Sequence, residues 1–154
     1  MRLVLVALTL AVIAAGQSPL SDEILAAHNA VRQSVKVPPL VWSDRLAVEA
    51  QQWADHLLAW REFKHSHKPN LGENLYESIG SDHASPQRAV ASWAAEAAGY
   101  DHGTNLCYAV CGHYTQIVWR DTKRVGCGVA RGMGVEIWVC NYDPPGNFVG
   151  RRPY

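Results

Sequence analysis

Residues 111–142 read CGHYTQIVWRDTKRVGCGVARGMGVEIWVCNY, and the hydrophobic period changes within them. The first nine residues place apolar side chains at helical spacing and predict a short helix over 111–119. RVGCGVA (124–130) and VEIWVCNY (135–142) are strand-like, joined by the glycine-containing RGMG. If that turn pairs 131 with 136, Cys127 falls opposite Cys140. Directly opposed residues on antiparallel strands lie about 5 Å apart, near what a disulfide needs. The register is compatible with that bridge and leaves the other pairings of four cysteines open.

Working upstream, SDEILAAHNAVRQSV (21–35) predicts a helix with Ser21 as N-cap and acids in its first turn. VPPL (37–40) breaks it. SDRLAVEAQQWADHLLAW (43–60) is the most regular helix, with Leu46, Ala50, Trp53 and Leu57 on one face and Ser43 placed to cap it. Residues 61–84 read as loop. A third helix opens at Ser85-Pro86, a cap followed by proline in the first turn, and ends near Gly99. DPPGN (143–147) is a turn, and FVGRRPY is expected to lie over the surface. Helices with a small antiparallel sheet make an α+β domain.

A chain of 154 residues fits one domain with a removable end. Lys+Arg 14 balance Asp+Glu 14, so no electrostatic footprint for nucleic acid or an anionic membrane is present. The start, MRLVLVALTLAVIAAG, has one basic residue, an apolar run and small residues. That layout predicts a secretory signal peptide over 1–16, a mature domain over 17–154 and an extracellular location. Removing Arg2 leaves 13 basic and 14 acidic residues, a formal charge of −1. Four cysteines, Cys107, Cys111, Cys127 and Cys140, then read as two disulfides. A zinc site built from all four is disfavoured, because the paired C-x-x-C knuckles are missing.

Histidines stand at 28, 56, 65, 67, 83, 102 and 113. In an extended segment His65 and His67 would share a face. Imidazoles with carboxylates can bind divalent ions or act as acid–base pairs. No H-E-x-x-H and no G-x-S-x-G occurs, so the strong zinc-protease and serine-hydrolase signals are missing. From the residues alone His113 reads as a hydrogen-bonded structural histidine.

GHYTQIVW (112–119) followed by VCNYDPPGN (139–147) resembles the two signature segments of the CAP superfamily. That superfamily comprises cysteine-rich secretory proteins, venom antigens and plant pathogenesis-related proteins. AAHNAVRQSVKVPPLVWSDRLAVEAQQWAD, HS…LGENLY and AVASWAAEAAGY extend the resemblance over 22–154, nearest the plant branch. It implies an α-β-α sandwich with a central antiparallel sheet between helices. It also implies a cavity tetrad of His65, Glu73, Glu96 and His113, with His65 and His113 able to hold zinc or another divalent metal. His67 is the rival for the first histidine.

Plant members usually carry six cysteines. Here both halves of one bridge are missing together, in WREFK (60–64) and VARGMG (129–134). The family pattern then implies Cys107–Cys111 and Cys127–Cys140. Gln116, Ile117, Val118, Trp119 and Thr122 match a sterol-binding loop of some members, although core packing would use the same residues. The function implied is a secreted, monomeric, non-enzymatic protein that binds sterol, other lipid or a protein partner in defence or host interaction. A zinc-dependent hydrolase using the same tetrad and a structural interaction domain without metal are the alternatives.

Overall fold

The computed structural model describes residues 19–80 and 83–154; the expected signal peptide lies outside the described residues. Helix α1 (Pro19–Ser34) is followed by β1 (Val41–Trp42), α2 (Asp44–Trp60), β2 (Gly72–Ile79) and α3 (Pro86–Ala95). A 3₁₀ turn (Glu96–Gly99), the short strands β3 (Tyr100–Asp101) and β4 (Leu106–Cys107), and α4 (Gly112–Ile117) come next. The hairpin β5 (Arg124–Gly132) and β6 (Val135–Asp143) completes the order.

Local chemistry sets the helix ends. Ser43 caps α2 by accepting from the Leu46 amide, and Ser85 caps α3 by accepting from Arg88, with proline in the first turn. Helix α2 stops where Arg61 turns left-handed and its amide donates back to Leu57 and Leu58 carbonyls. Its buried stripe is Leu46, Ala50, Ala54 and Leu57. Trp53 is half-buried at the margin, where its indole donates to the Lys64 carbonyl at 3.1 Å. Two expected boundaries move. Helix α1 already contains Ser21, which therefore does not cap it, and α4 ends at Ile117.

The main sheet has the order β1-β5-β6-β2. Arg131 pairs with Glu136 and Cys127 with Cys140, the register expected of the RGMG turn. The Cys127–Cys140 and Cys107–Cys111 bridges are both formed, leaving no free cysteine. The three long strands are antiparallel, whereas the two-residue β1 joins β5 in parallel, so the sheet is mixed. Strand β2 lies inside the segment expected to be loop. Its eight residues pair with β6 along their whole length, from Gly72↔Tyr142 to Ile79↔Val135.

Alternation along β6 divides the core. Trp138, Cys140 and Tyr142 enter a cluster with Ile24 of α1, Val90 and Trp93 of α3 and Ile117 of α4. Ile137 and Val139 enter a second cluster with Ala50, Ala54 and Leu57 of α2. Helices therefore cover both faces, which makes the three-layer α-β-α sandwich. Gly126 and Gly128, on either side of Cys127, let α2 sit directly on β5. A Cβ at Gly126 would overlap the Ala47 nitrogen, and one at Gly128 the Gln51 backbone. The Gln51 side chain completes the contact, accepting from Val129 N and donating to Val129 O, each at 2.9 Å. On the opposite edge the Trp93 indole donates to the Leu75 carbonyl of β2 at 2.9 Å.

Buried polar groups tie the α1 side together. Arg32, fully buried, donates to the carbonyls of Pro38 (2.7 Å), Ile117 (2.7 Å), Trp119 (2.9 Å) and Thr122 (3.2 Å). It thereby caps the C-terminal end of α4 from a neighbouring helix. Burial lowers its pKa to about 10, so it is charged at neutral pH. WREFK and VARGMG, which lack the cysteines of the missing bridge, are adjacent: Arg61 Nη2 lies 3.5 Å from Met133 Sδ.

Candidate functional site

The tetrad expected from the sequence forms two histidine–carboxylate pairs. Glu73, near the start of β2, accepts from His65 Nδ1 at 2.8 Å and from the Ser66 amide at 2.9 Å through Oε1. Its Oε2 accepts from the Ser66 hydroxyl at 2.5 Å. Glu96, where α3 passes into the 3₁₀ turn, accepts from His113 Nδ1 at 2.6 Å. Its other oxygen accepts from the His113 and Tyr114 amides at 2.9 and 3.3 Å, satisfying open donors at the start of α4. The Trp93 ring lies along His113, with centroids 6.2 Å apart and planes 28° apart.

A carboxylate at Nδ1 holds the proton there and turns the lone pair to Nε2. Among the described residues neither Nε2 atom has a hydrogen-bond partner. This is the orientation that metal-bound histidines adopt, their second nitrogen held by a carboxylate. The donor chemistry therefore suits a divalent ion. The ligand count is low, because zinc usually takes three or four protein ligands. Among the described residues no group of three or more His, Cys, Asp or Glu is placed to hold a metal.

Asn74 joins the pairs. It follows Glu73 on β2 and points to the other face, where its Nδ2 reaches the His113 carbonyl and the Tyr142 hydroxyl, both at 3.1 Å. Tyr142 donates to His28 Nε2 at 2.9 Å, and His28 Nδ1 donates to the Ile24 carbonyl at 2.7 Å. Every donor in this relay finds an acceptor if His28 is neutral. Burial enforces that state, lowering the His28 pKa to about 4. Neither Asn74 nor Ser66 was singled out from the sequence. Ser66 stood between the two candidate histidines, and only its distance from Glu73 in the fold gives it a role.

His67 stays beside His65 without the extended backbone that the sequence reading assumes. Its φ is 53°, which turns the backbone, and its ring meets that of His65 edge-on at 6.4 Å. The Glu73 carboxylate bonds to His65. Of the loop residues matched for sterol binding, Gln116, Ile117, Val118, Trp119 and Thr122 are all buried. The Gln116 amide donates to Thr122 Oγ1 at 3.2 Å and accepts from Gly146 N at 2.9 Å. Trp119 packs on Gly146 and faces Phe148 at 5.9 Å, and it borders a groove of about 380 Å³ with Val110 and Thr115.

Residues 25–142 match the family described as CAP, the cysteine-rich secretory protein family. Pathogenesis-related protein 1A of Nicotiana tabacum is 46% identical over 136 residues, spanning 86% of this chain and 80% of the relative. Venom allergen-like protein 4 of Schistosoma mansoni superposes with a TM-score of 0.76 at 25% identity, covering 90% of this chain and 95% of that one. NaASP2, solved with Zn²⁺, gives a TM-score of 0.76 at 26% identity, covering 91% and 87%. The matched family spans the helix α1 core, both histidine–carboxylate pairs and the hairpin, and the chain belongs to the CAP, or cysteine-rich secretory protein, family.

Proposed function

We propose that the protein is secreted and acts in defence or host interaction as a non-enzymatic binding protein. It would use its two histidine–carboxylate pairs to take up a divalent metal such as zinc, and the Gln116–Thr122 region to meet sterol or another lipid. The observation that carries the metal half is the paired geometry: both imidazoles offer Nε2 while a carboxylate fixes Nδ1. With only two nitrogen ligands the affinity would be modest, and water or a bound partner would complete the coordination. A metal bound there would supply a positive charge able to polarise a bound group.

A non-enzymatic role is supported by the state of the nucleophiles. All four cysteines are in disulfides, so no thiol is free to act as one. The relatives' names support the defence setting. Among the described residues no helix is long and apolar enough to cross a membrane.

Zinc calorimetry on the wild type and on the His65→Ala/His113→Ala double variant tests the metal site. Wild-type binding that vanishes in the double variant supports the assignment; identical isotherms refute it. For the lipid half, saturable sterol binding is expected, and its absence removes that half alone.

A further inference from the structure

Along α1 and the loop that leaves it runs a groove of about 800 Å³, lined by Ala26, Ala30 and Gln33 of the helix and by Lys36, Pro38 and Pro39 beyond it. Arg120, from the segment after α4, lines it too and is the one residue it takes from 116–122. The groove shares no lining residue with the Trp119 groove, and no member of the two histidine–carboxylate pairs lines it. It is preformed. Asn29 accepts from the Leu40 amide at 2.7 Å and donates to the Leu40 carbonyl at 3.1 Å, and buried Arg32 donates to the Pro38 carbonyl at 2.7 Å. Two consecutive prolines stiffen the loop so held. The Arg120 amide is fixed on the Pro153 carbonyl at 2.7 Å. A surface set in advance loses little freedom on binding.

The charge of this groove has one sign. No carboxylate lines it. Lys36 and Arg120 are exposed, and so is Lys123, which adjoins the Pro39 end: its carbonyl accepts from the Val41 amide at 3.0 Å. Among the described residues none of these three side chains has a hydrogen-bond or carboxylate partner. The acids of the neighbouring segments are engaged elsewhere. Asp121 pairs with Arg151 and Asp143 with Arg124, each at 2.9 Å, and Asp44 accepts from the Trp42 indole at 2.9 Å. Glu23 accepts from Gln87, and Asp22 stands a turn before Ala26, at the end away from Lys36. Buried Arg32 adds a fourth positive charge between the two sides, since its guanidinium reaches both the Pro38 and the Trp119 carbonyls. The rest of the lining selects among anions. Ala26, Ala30, Pro38 and Pro39 offer methyl and ring surface in a recess, with no aromatic face for a sugar to stack on and no protruding side chain for a bilayer to take up. The exposed Gln33 carboxamide has no partner among the described residues. It can serve one peptide unit as donor and acceptor, as the Gln51 carboxamide does at Val129.

We propose that this groove docks an acidic, extended peptide segment of a partner protein. Carboxylates of that segment pair with Lys36, Arg120 and Lys123. Its small apolar side chains cover Ala26, Ala30 and the two prolines, and one of its peptide units bonds to Gln33. From Ala26 to Gln33 the helix rises about 10 Å, the reach of about three residues of extended chain. The inference goes beyond the metal and lipid reading and does not depend on it.

Fluorescence anisotropy tests this with a fluorescein-labelled peptide of about eight alternating glutamate and alanine residues, long enough to pass both ends of the groove. The purified protein is titrated against it and against a counterpart with glutamine in place of glutamate. Saturable binding of the glutamate peptide is expected, about tenfold or more tighter than that of the glutamine peptide and weakened by salt. Lys36→Glu/Arg120→Glu should lower the affinity by about tenfold or more, since like charges then meet. Ala30→Phe keeps every charge and occupies the groove, and should lower it by about fivefold or more. Thermal melts confirm that each variant is folded. No binding of the glutamate peptide, equal binding of the two peptides, or an affinity unchanged in either variant overturns the proposal. Tighter binding of heparin or of phosphatidylserine vesicles than of the peptide also overturns it, and assigns the face to a sulfated polysaccharide or a bilayer. Zinc calorimetry and sterol binding are independent of all these results.

Discussion

Arg32 is the residue whose replacement tests the physical account most severely. Among the described residues it is a fully buried cation with no carboxylate partner, satisfied by four backbone carbonyls. Hydrogen bonds to a charged group contribute about 1.5–3 kcal/mol each. Arg32→Met keeps the aliphatic stem and removes the donors, leaving carbonyls at Pro38, Ile117, Trp119 and Thr122 without partners. The gross loss is on the order of 6–12 kcal/mol. Relief of the buried charge and entry of water offset part of it, so the net destabilisation expected is ~3–5 kcal/mol, as for other broken buried charges. For a chain of this size that lowers the melting midpoint by about 10 °C or more. Arg32→Lys has one nitrogen to serve carbonyls on three segments and should lose about half as much. Calorimetric melts of the three proteins at neutral pH give the comparison. A Met variant within ~1 kcal/mol of wild type, or more stable, would mean that desolvation of the guanidinium outweighs its bonds, and the reasoning would be wrong.

Two other perturbations bear on the same core. His28 stays neutral in the fold, with a pKa of about 4, while the unfolded chain takes up its proton near 6.5. The unfolded state therefore binds more protons across that window, and stability falls as pH drops through it, by ~3 kcal/mol in full. Urea midpoints between pH 7 and pH 4 measure the slope, and His28→Gln should flatten it at lower overall stability; an unchanged slope would place the acid sensitivity elsewhere. Gly128→Ala puts a methyl into the Gln51 backbone and must displace α2, at a cost of about 3 kcal/mol or more. A melting midpoint equal to wild type would show that α2 is not seated as described.

The sequence disclosed most of the fold wherever local chemistry decides. Ser43 and Ser85 have cap geometry written into their next three residues, and the RGMG turn fixes the register that brings Cys127 to Cys140. Strand β2 was hidden because GENLYESI begins with Gly, Glu and Asn, which are poor strand formers, and its stability comes from β6, about sixty residues away. The two-residue β1 leaves no period to read. Glu73 and Glu96 could be assigned to His65 and His113 only through the family resemblance, since separations of 8 and 17 residues imply no contact. Arg32 and His28 look like the polar side of an amphipathic helix. The partners that bury them, Ile117, Trp119 and Tyr142, come from the far end of the chain.

The contacts of Gln51 and Trp93 also bear on how the protein behaves when crowded. Beyond its two-residue pairing with β1, the outer margin of β5 would present unpaired peptide groups, as would that of β2. Such margins recruit further strands and seed aggregates. At Val129 the Gln51 carboxamide acts as a one-residue imitation of a neighbouring strand, occupying both the amide and the carbonyl. At Leu75 the Trp93 indole occupies the carbonyl and α3 stands behind it. Each end of the sheet is thus interrupted near its middle by a side chain doing the work of a backbone, so a second chain would find no uninterrupted run to zip along.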